Sequence, residues 1–262
     1  MVSIDGKAIR GSKKYGTKAL VHMVSAWANK NHMVLGQVKV DEKSNEITAI
    51  PKLLEILSIK GCIVTIDAMG CQTEIAKKII EKEADYMLAV KGNQGTLEQE
   101  INDSIVLCKP IDSCEKSDFG HGRIETRKCT VYNDLSQISQ LSKWKDLKSI
   151  VKIDSTRYFK LTGKEEKETR LYISSLEASA LKAEHAVRAH WGVENSLHWV
   201  LDVAFNEDKS AKTNPIAVQN FSTINRIALN LLKNDKSKKI GVKGKRLMAG
   251  WDNDFLLQIL KN

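Results

Sequence analysis

The sequence predicts an α/β protein in which helices flank a mixed β-sheet and a β-rich insertion interrupts the second half. Three observations predict this fold class. Strand-like and helix-like runs alternate over residues 2–90, strand-like runs dominate residues 120–175, and helical periodicity returns over residues 178–232. Strands that alternate with helices are typical of a sheet covered by helices. A chain of 262 residues is long enough for one large domain that carries an insertion.

The first elements are three predicted strands. Apolar residues alternate from Val2 into Asp5, which predicts a short strand that ends at this aspartate. Residues 20–40 predict two further strands, and the turn-rich tripeptide at residues 29–31 lies between them. We therefore expect these two strands to form a β-hairpin.

A helix and a buried strand are predicted next, and this order then repeats. Apolar residues recur at i, i+3, i+4 and i+7 over residues 50–57, and Ser44 or Asn45 could cap this helix. The continuous apolar run at residues 62–66 is typical of a strand buried on both faces. The second helix and strand are predicted at residues 73–80 and 86–90. The resulting order, β-β-β-α-β-α-β, is typical of ribonuclease-H-like folds.

The second half contains the insertion and a helical end. After a helix at residues 97–107, the β-rich insertion spans about residues 110–176, with strands at residues 124–132, 149–153 and 169–173. Helices are predicted at residues 178–205, 217–232 and 247–259. Residues 236–246 carry six basic residues, two glycines and no acidic residue, which predicts a mobile basic linker. We therefore expect one domain over residues 1–235, followed by a linker and a short helix over residues 236–262.

Composition narrows the class of protein. With 42% hydrophobic and 28% charged residues, the chain has the composition of a globular protein rather than a disordered one. Its net charge of +9 favours a polyanionic partner, although a ribosomal or membrane-surface protein could be as basic. The five cysteines include no C-x-x-C pair, which argues against a zinc ribbon and favours reduced thiols. The sequence shows neither a membrane-length apolar run nor a signal peptide, so we expect a cytoplasmic protein.

Three acidic residues are candidates for a metal-dependent catalytic site. Asp5 and Asp67 each follow a strand-like run, and Glu194 lies on a long helical run. Two divalent cations need carboxylate oxygens that converge from different elements. Either aspartate alone is more simply explained as a turn former at the end of a strand. Together, in a basic chain with this β-α order, the three acids predict a two-metal site that cleaves and joins nucleic acid.

The helical run around Glu194 allows three interpretations. Spacing on an α-helix would place His190, Glu194 and His198 on one face, with Asn195 and two tryptophans on the adjacent stripe. The face could hold a metal through Glu194, form a zinc site of the type H-x-x-x-E-x-x-x-H, or pack its tryptophans in the core. The zinc site is disfavoured because its spacing matches no zinc motif. The acids that follow, Asp202, Glu207 and Asp208, either supplement the metal site or form a solvated helix end.

Several basic and polar residues are candidates for DNA contacts. A basic run begins two residues after Asp5 and could hold phosphates near the metals, unless it is a solvated hairpin edge. Arg123 and Arg127 would share a strand face with Glu125, where they either contact DNA or form a surface ion-pair ladder. The basic run consists of Lys7, Arg10, Lys13, Lys14 and Lys18. The residues that we predict to contact DNA are Lys7, Arg10, Lys91, His121, Arg123, Arg127, His190, Asn195 and His198.

Five segments of the sequence are IDGKAIRGS, TIDAMGCQ, AVKGNQ, GHGRIETR and RAHWGVENSLHWVLDVAFNED. They resemble segments of insertion-sequence transposases of the ISAs type, a family that includes the H-repeat-associated proteins of Rhs elements. The resemblance extends from about residue 2 to about residue 235. It implies a ribonuclease-H-like DDE catalytic domain whose acids are Asp5, Asp67 and Glu194. It also implies Mg²⁺ as cofactor, with Mn²⁺ as a substitute, and double-stranded DNA of the element ends and target as partner.

The resemblance also implies a reaction. One ion would lower the pKa of a water that hydrolyses a phosphodiester at the element end, and the other would stabilise the leaving 3′ oxygen. The freed 3′-OH would then attack the target DNA. Synapsis of two ends implies a homodimer on DNA, and the protein would associate with the bacterial nucleoid when it is bound.

Two departures from the family pattern keep alternatives open. Related enzymes often carry a Tyr-Arg-Glu-Lys pattern around the glutamate, whereas Val187, His190 and Leu201 stand at the other three positions here. Family members usually carry a helical region ahead of the IDGK strand, whereas four residues precede Asp5 here. One alternative is a catalytically inactive, N-terminally truncated remnant that only binds DNA. Another is a general nuclease without the joining step.

Overall fold

The structure is a computed structural model that describes residues 1–13, 20–41, 44–120 and 122–261. It is a mixed α/β protein in which helices flank a large mixed β-sheet. The chain divides into two compact units. Unit 1 comprises Met1–Leu57 and His190–Asn262, and unit 2 comprises Ser58–Ala189.

Unit 1 contains three antiparallel strands. They are β1 (Val2–Ile9), β2 (Val21–Ala28) and β3 (Met33–Lys39). The predicted hairpin of residues 20–40 is confirmed as β2 and β3. The prediction that β1 ends at Asp5 is wrong, because pairing with β2 continues as far as Ile9 opposite Val21. The buried side chain of Ile9 packs against Met23 and Val218 and extends the strand past the aspartate.

The helices of unit 1 are α1 (Glu46–Ile56), the end of α4 (Ala180–Val193), α5 (Trp199–Phe205), α6 (Pro215–Asn234), α7 (Val242–Trp251) and α8 (Asn253–Leu260). Helices α1 and α6 pack against β2 and β3, whereas α7 and α8 pack against α6 and each other. Helix α1 begins after the predicted cap Asn45, whose side chain accepts a hydrogen bond from Ile47 N at 3.1 Å. Trp27 and Val34 of the sheet form a buried cluster with Leu229 of α6 and with residues 193–201.

The C-terminal region of unit 1 differs from the prediction. Helix α7 begins at Val242, inside the stretch that we predicted to be a mobile linker. Its Lys245 is buried, with Nζ 2.9 Å from Asp235 Oδ2 and 3.2 Å from the carbonyl oxygen of Leu232. Pattern analysis could not anticipate this burial, because a lysine in a basic stretch is normally solvated.

The edge strand of the unit 1 sheet is protected by a side chain of α6. Asn230 accepts a hydrogen bond from Val34 N at 2.8 Å and donates one to Val34 O at 2.9 Å. These two backbone groups of β3 are therefore satisfied by a side chain. Edge strands need such cover, because unpaired backbone groups invite pairing with another chain.

Unit 2 contains a six-stranded mixed sheet with the order β4-β5-β9-β8-β7-β6. The strands are β4 (Ile63–Ile66), β5 (Asp85–Val90), β6 (Asp112–Gly120), β7 (Arg123–Tyr132), β8 (Ser149–Phe159) and β9 (Glu165–Ser174). Strands β4 and β5 are parallel, and the other pairs are antiparallel. Strand β6 was not predicted, because this exposed edge strand, DSCEKSDFG, has no apolar alternation.

The helices of unit 2 follow the predicted periodicity. Helix α2 (Thr73–Glu81) begins at the predicted residue and connects the parallel strands β4 and β5. Helix α3 (Gly95–Leu107) precedes the β-rich region, and most of α4 follows it. No helix within the described part of the chain is long and apolar enough to cross a membrane.

Candidate active site and nucleic-acid interface

Asp5 lies beside the helical segment that carries Glu194. The Asp5 side chain is 17% exposed, and its Oδ2 lies 3.4 Å from Nδ1 of His198. His198 is the last residue of a π-helical segment, Glu194–His198, between α4 and α5. Unit 1 thus brings β1, with the first predicted catalytic acid, against the segment that begins at the predicted catalytic glutamate.

This π-helical segment interrupts the continuous helix that the sequence predicts for residues 178–205. Its hydrogen bonds run from i to i+5, so its side chains are rotated relative to those of an α-helix. Glu194 and Asn195 are exposed, whereas His198 is 13% exposed. The predicted common face of His190, Glu194 and His198 is therefore not kept. Helical π segments are rare and occur frequently at functional sites.

Burial keeps His198 neutral. Desolvation by burial, together with the nearby cations Arg226 and Lys7, lowers the pKa of His198 to about 3. A neutral imidazole can donate to Asp5 only through Nδ1–H, which leaves Nε2 as an acceptor. This Nε2 is buried, and among the described residues it has no hydrogen-bond partner. His198 is thus a neighbour of the Asp5 carboxylate, and its burial argues against the predicted DNA contact.

Lys7 is surrounded by carboxylates rather than exposed to solvent. Its Nζ lies 2.6 Å from Asp202, 3.1 Å from Asp208 and 3.9 Å from Glu207. Because the side chain is also buried, it is not placed to meet a DNA phosphate. We therefore correct the interpretation of Lys7 as a DNA contact. Its charge is already compensated within unit 1.

Arg226 of α6 forms a buried ion pair with Glu207 that was not predicted from the sequence. Its Nη1 lies 2.8 Å from Glu207 Oε1, and its Nε donates to Ser25 Oγ at 3.2 Å. The burial of Glu207 also contradicts the predicted solvated helix end. Arg226 is the only charged residue in residues 215–232, and this pattern could have indicated a buried ion pair. Exposed helix faces are normally rich in charge, so a single charge in an uncharged helix is a usable signal.

The two tryptophans around Glu194 differ in burial. Trp199 is exposed, which contradicts its interpretation as a core residue, and Trp191 is half-buried. Leu197 and Leu201 fill the core at this point instead. A helix that contains a π segment changes which residues point inward, so the tryptophan spacing did not predict burial.

Asp67 follows β4 directly, as predicted, and begins a short 3₁₀ turn, Ala68–Gly70. Its Oδ1 accepts a hydrogen bond from Gly70 N at 3.3 Å. The loop that follows β5 supports this turn, because Asn93 Nδ2 donates to Ala68 O at 2.7 Å and Gln94 Nε2 donates to Cys71 O at 2.9 Å. The segments TIDAMGCQ and AVKGNQ thus form one connected loop cluster in unit 2.

The two arginines of β7 differ in burial, because Arg127 is buried and the Arg123 side chain is accessible. Arg127 is buried and contacts Asp118, with Glu125 at 3.4 Å and Glu184 at 3.8 Å. It therefore belongs to an ion-pair network, and we correct its interpretation as a DNA contact. The Arg123 side chain is 42% exposed, 3.7 Å from Glu125. It remains accessible to a phosphate.

The remaining predicted DNA contacts differ in exposure. The Arg10 side chain is 83% exposed, with Nε 3.6 Å from Asp208, while Lys91 and Asn195 are also exposed. His190 is half-buried. The predicted residues His121, Lys14 and Lys18 lie outside the described residues.

The donor types of the three predicted acids fit a hard divalent cation. Asp5, Asp67 and Glu194 offer carboxylate oxygens, which Mg²⁺ prefers over nitrogen or sulfur ligands. Within the described ranges, no group of three or more His, Cys, Asp or Glu side chains is arranged to hold a metal ion. The case for a metal therefore depends on donor chemistry and on relatives.

A family profile and curated relatives indicate one family. The profile of the family described as "Transposase DDE domain" matches residues 1–231. The chain is 45% identical over 267 residues to "Putative transposase YncI" of Escherichia coli O157:H7, covering 99% of this chain and 68% of that protein. It is 43% identical over 270 residues to "H repeat-associated putative transposase YhhI" of Escherichia coli K12, covering 99% and 71%. This chain therefore belongs to the transposases with a DDE domain, among relatives of the H-repeat-associated type.

Proposed function

We propose that this chain is a DDE transposase catalytic domain with a ribonuclease-H-like fold, which cleaves DNA phosphodiesters and transfers the resulting strand to a target. One observation in unit 1 supports this proposal most directly. Asp5 lies 3.4 Å from His198, which ends the π-helical segment that Glu194 begins. Two of the three acids that the family chemistry requires are therefore carried by adjacent elements.

In this proposal, Asp5, Asp67 and Glu194 hold the divalent cation, Mg²⁺ or Mn²⁺. When bound, the cation would supply an activated water and charge stabilisation for the leaving 3′ oxygen. The neutral state of His198 matters, because an imidazolium beside Asp5 would offset the carboxylate charge that attracts a cation. The ion pairs of Lys7 with Asp202 and Asp208 hold the same strand against α5 and the turn after it.

The exposed basic residues would bind the DNA backbone. Arg10, Lys91 and Arg123 offer accessible cations, and the net charge of +9 adds a long-range attraction. Asn195 and His190 flank Glu194 and would contact DNA near the reacting phosphate. Contacts to phosphates fix the position of the DNA and carry no sequence information themselves. A homodimer, with one chain for each element end, completes the proposed complex.

The test is nicking of supercoiled plasmid by the full chain in Mg²⁺, with Asp67→Asn as the matched inactive variant. Wild type should nick in Mg²⁺ and stop in EDTA, and Asp67→Asn should bind DNA without nicking. Joining of a labelled duplex end to the plasmid would separate a transposase from a general nuclease. Binding without nicking by the wild type would support the inactive remnant, whereas equal nicking by both proteins would reject the assignment of Asp67.

Arg123→Ala should weaken DNA binding without changing stability. Arg123 is accessible, so its loss removes about one phosphate contact and lowers the salt slope of the binding constant by about 1. Fluorescence anisotropy with a duplex at several salt concentrations measures this effect. Lys167→Ala removes an exposed cation from β9 and serves as control for net charge alone. Equal losses for both variants would show that Arg123 makes no specific phosphate contact.

A further inference from the structure

Two cysteines face each other across the β6–β7 hairpin of unit 2. The strand register places Cys114 directly opposite Cys129. Their thiols also interact through a side-chain hydrogen bond. Cys129 is buried, whereas Cys114 is partly accessible. The hairpin therefore holds a close pair of thiols, one of which solvent can reach.

The backbone geometry of this pair matches that of a disulfide. Directly opposed residues in antiparallel strands have Cα atoms about 4.5–5.5 Å apart. Disulfides span Cα separations of about 4.4–6.8 Å. The two side chains lie on the same face of the sheet, because directly opposed residues always do. An S–S bond thus needs local side-chain rotation but no change of strand register.

We propose that Cys114 and Cys129 are a reversible oxidation site, at which a peroxide converts the two thiols into a cross-strand disulfide. The Cys114 thiolate attacks the O–O bond of hydrogen peroxide and becomes a sulfenic acid, while the other oxygen leaves as hydroxide and forms water. The Cys129 sulfur then attacks the Cys114 sulfur, the S–S bond forms, and a second water leaves. The two thiols lose two electrons and two protons, and the peroxide is reduced to two waters.

The surroundings of Cys114 and Cys129 determine how fast their thiols react. Burial raises the pKa of Cys129 to about 12 and also raises that of Cys114, so the reaction should be slower than that of a catalytic thiolate. The partly accessible thiol of Cys114 would react first because oxidants can reach it. A dithiol reductant would reverse the bond by thiol–disulfide exchange.

The disulfide would add a covalent bond to an exposed edge strand that is otherwise held by strand pairing and side-chain contacts. Strand β6 is mostly exposed, and its attachments to α4 include Lys116 Nζ to Glu184 at 2.5 Å and Ala180 N to Asp112 at 2.7 Å. A bond between residues 114 and 129 closes a short chain loop, which restricts the unfolded chain. We expect the melting temperature of the oxidised protein to rise by about 5–10 °C.

The test is oxidation of the full chain with hydrogen peroxide, followed by intact-mass measurement and peptide mapping without reductant. A loss of about 2 Da and a peptide pair that links residues 114 and 129 are expected, and dithiothreitol should reverse both. Cys114→Ala, at the partly accessible position, should abolish the linked peptide, and Cys71→Ala should leave it. Oxygen adducts without a linked pair, or a link between other cysteines, would overturn the proposal. Dichroism confirms that each variant is folded.

Discussion

Glu194→Gln is expected to reduce DNA nicking by roughly 10³-fold or more, because loss of a metal-ligand charge removes several kcal/mol of transition-state stabilisation. Glutamine keeps the size of the side chain and removes only its charge. Because Glu194 is exposed, the free energy of unfolding should change by less than about 0.5 kcal/mol. DNA binding should persist, since the proposed phosphate contacts come from other residues.

The measurement is the initial rate of plasmid nicking in Mg²⁺, with duplex binding and the melting temperature determined for the same samples. Glu81→Gln is a matched control, because it changes another exposed helical glutamate, at the end of α2. This control should nick at the wild-type rate. If Glu194→Gln also nicked at the wild-type rate, the glutamate would not be a metal ligand and the DDE assignment of this residue would fail.

Local patterns predicted the elements whose burial follows a simple period. Strand β4 appears as a continuous apolar run and α2 as a 3.6-residue repeat, and both form as expected. Strand β6 has neither pattern, because it lies exposed at the sheet edge and is held by pairing with β7. The π segment at Glu194 has no sequence period of its own, so the spacing of its histidines predicted the wrong face.

The sequence indicated the three candidate acids but not the residues that surround Asp5. Asp67 follows a strand as expected, but Asp5 lies within β1, where its neighbour Lys7 is buried. Lys7 meets Asp202, a residue 195 positions away in the chain. A short stretch of sequence cannot indicate such a partner, because the ion pair depends on how distant elements pack. Burial also reversed the interpretation of Lys7, from a phosphate contact to a residue that holds β1 in place.

Arg226→Met is expected to lower the free energy of unfolding by about 3–5 kcal/mol, because it leaves a buried carboxylate without its partner. Arg226 and Glu207 have side chains only 3% and 4% exposed, and their charged atoms are 2.8 Å apart. Lys7 compensates the charge of Glu207 only weakly, because its Nζ lies 3.9 Å from Glu207 Oε2. Since domains are stable by about 5–15 kcal/mol, this loss is a large part of the total.

Urea denaturation of the single variants and of Arg226→Met/Glu207→Leu measures how much the ion pair contributes to the free energy of unfolding. The double variant should recover much of the loss, because apolar replacement of both partners removes the unpaired charge. Arg188→Met is the matched control, since this helical arginine is half exposed and 3.8 Å from Asp118, where an ion pair contributes about 0–1 kcal/mol. A double variant no more stable than Arg226→Met would show that lost packing, not an uncompensated charge, causes the destabilisation. Recovery in the double variant would instead show that Arg226→Met destabilises the protein through the uncompensated charge of the buried Glu207 carboxylate.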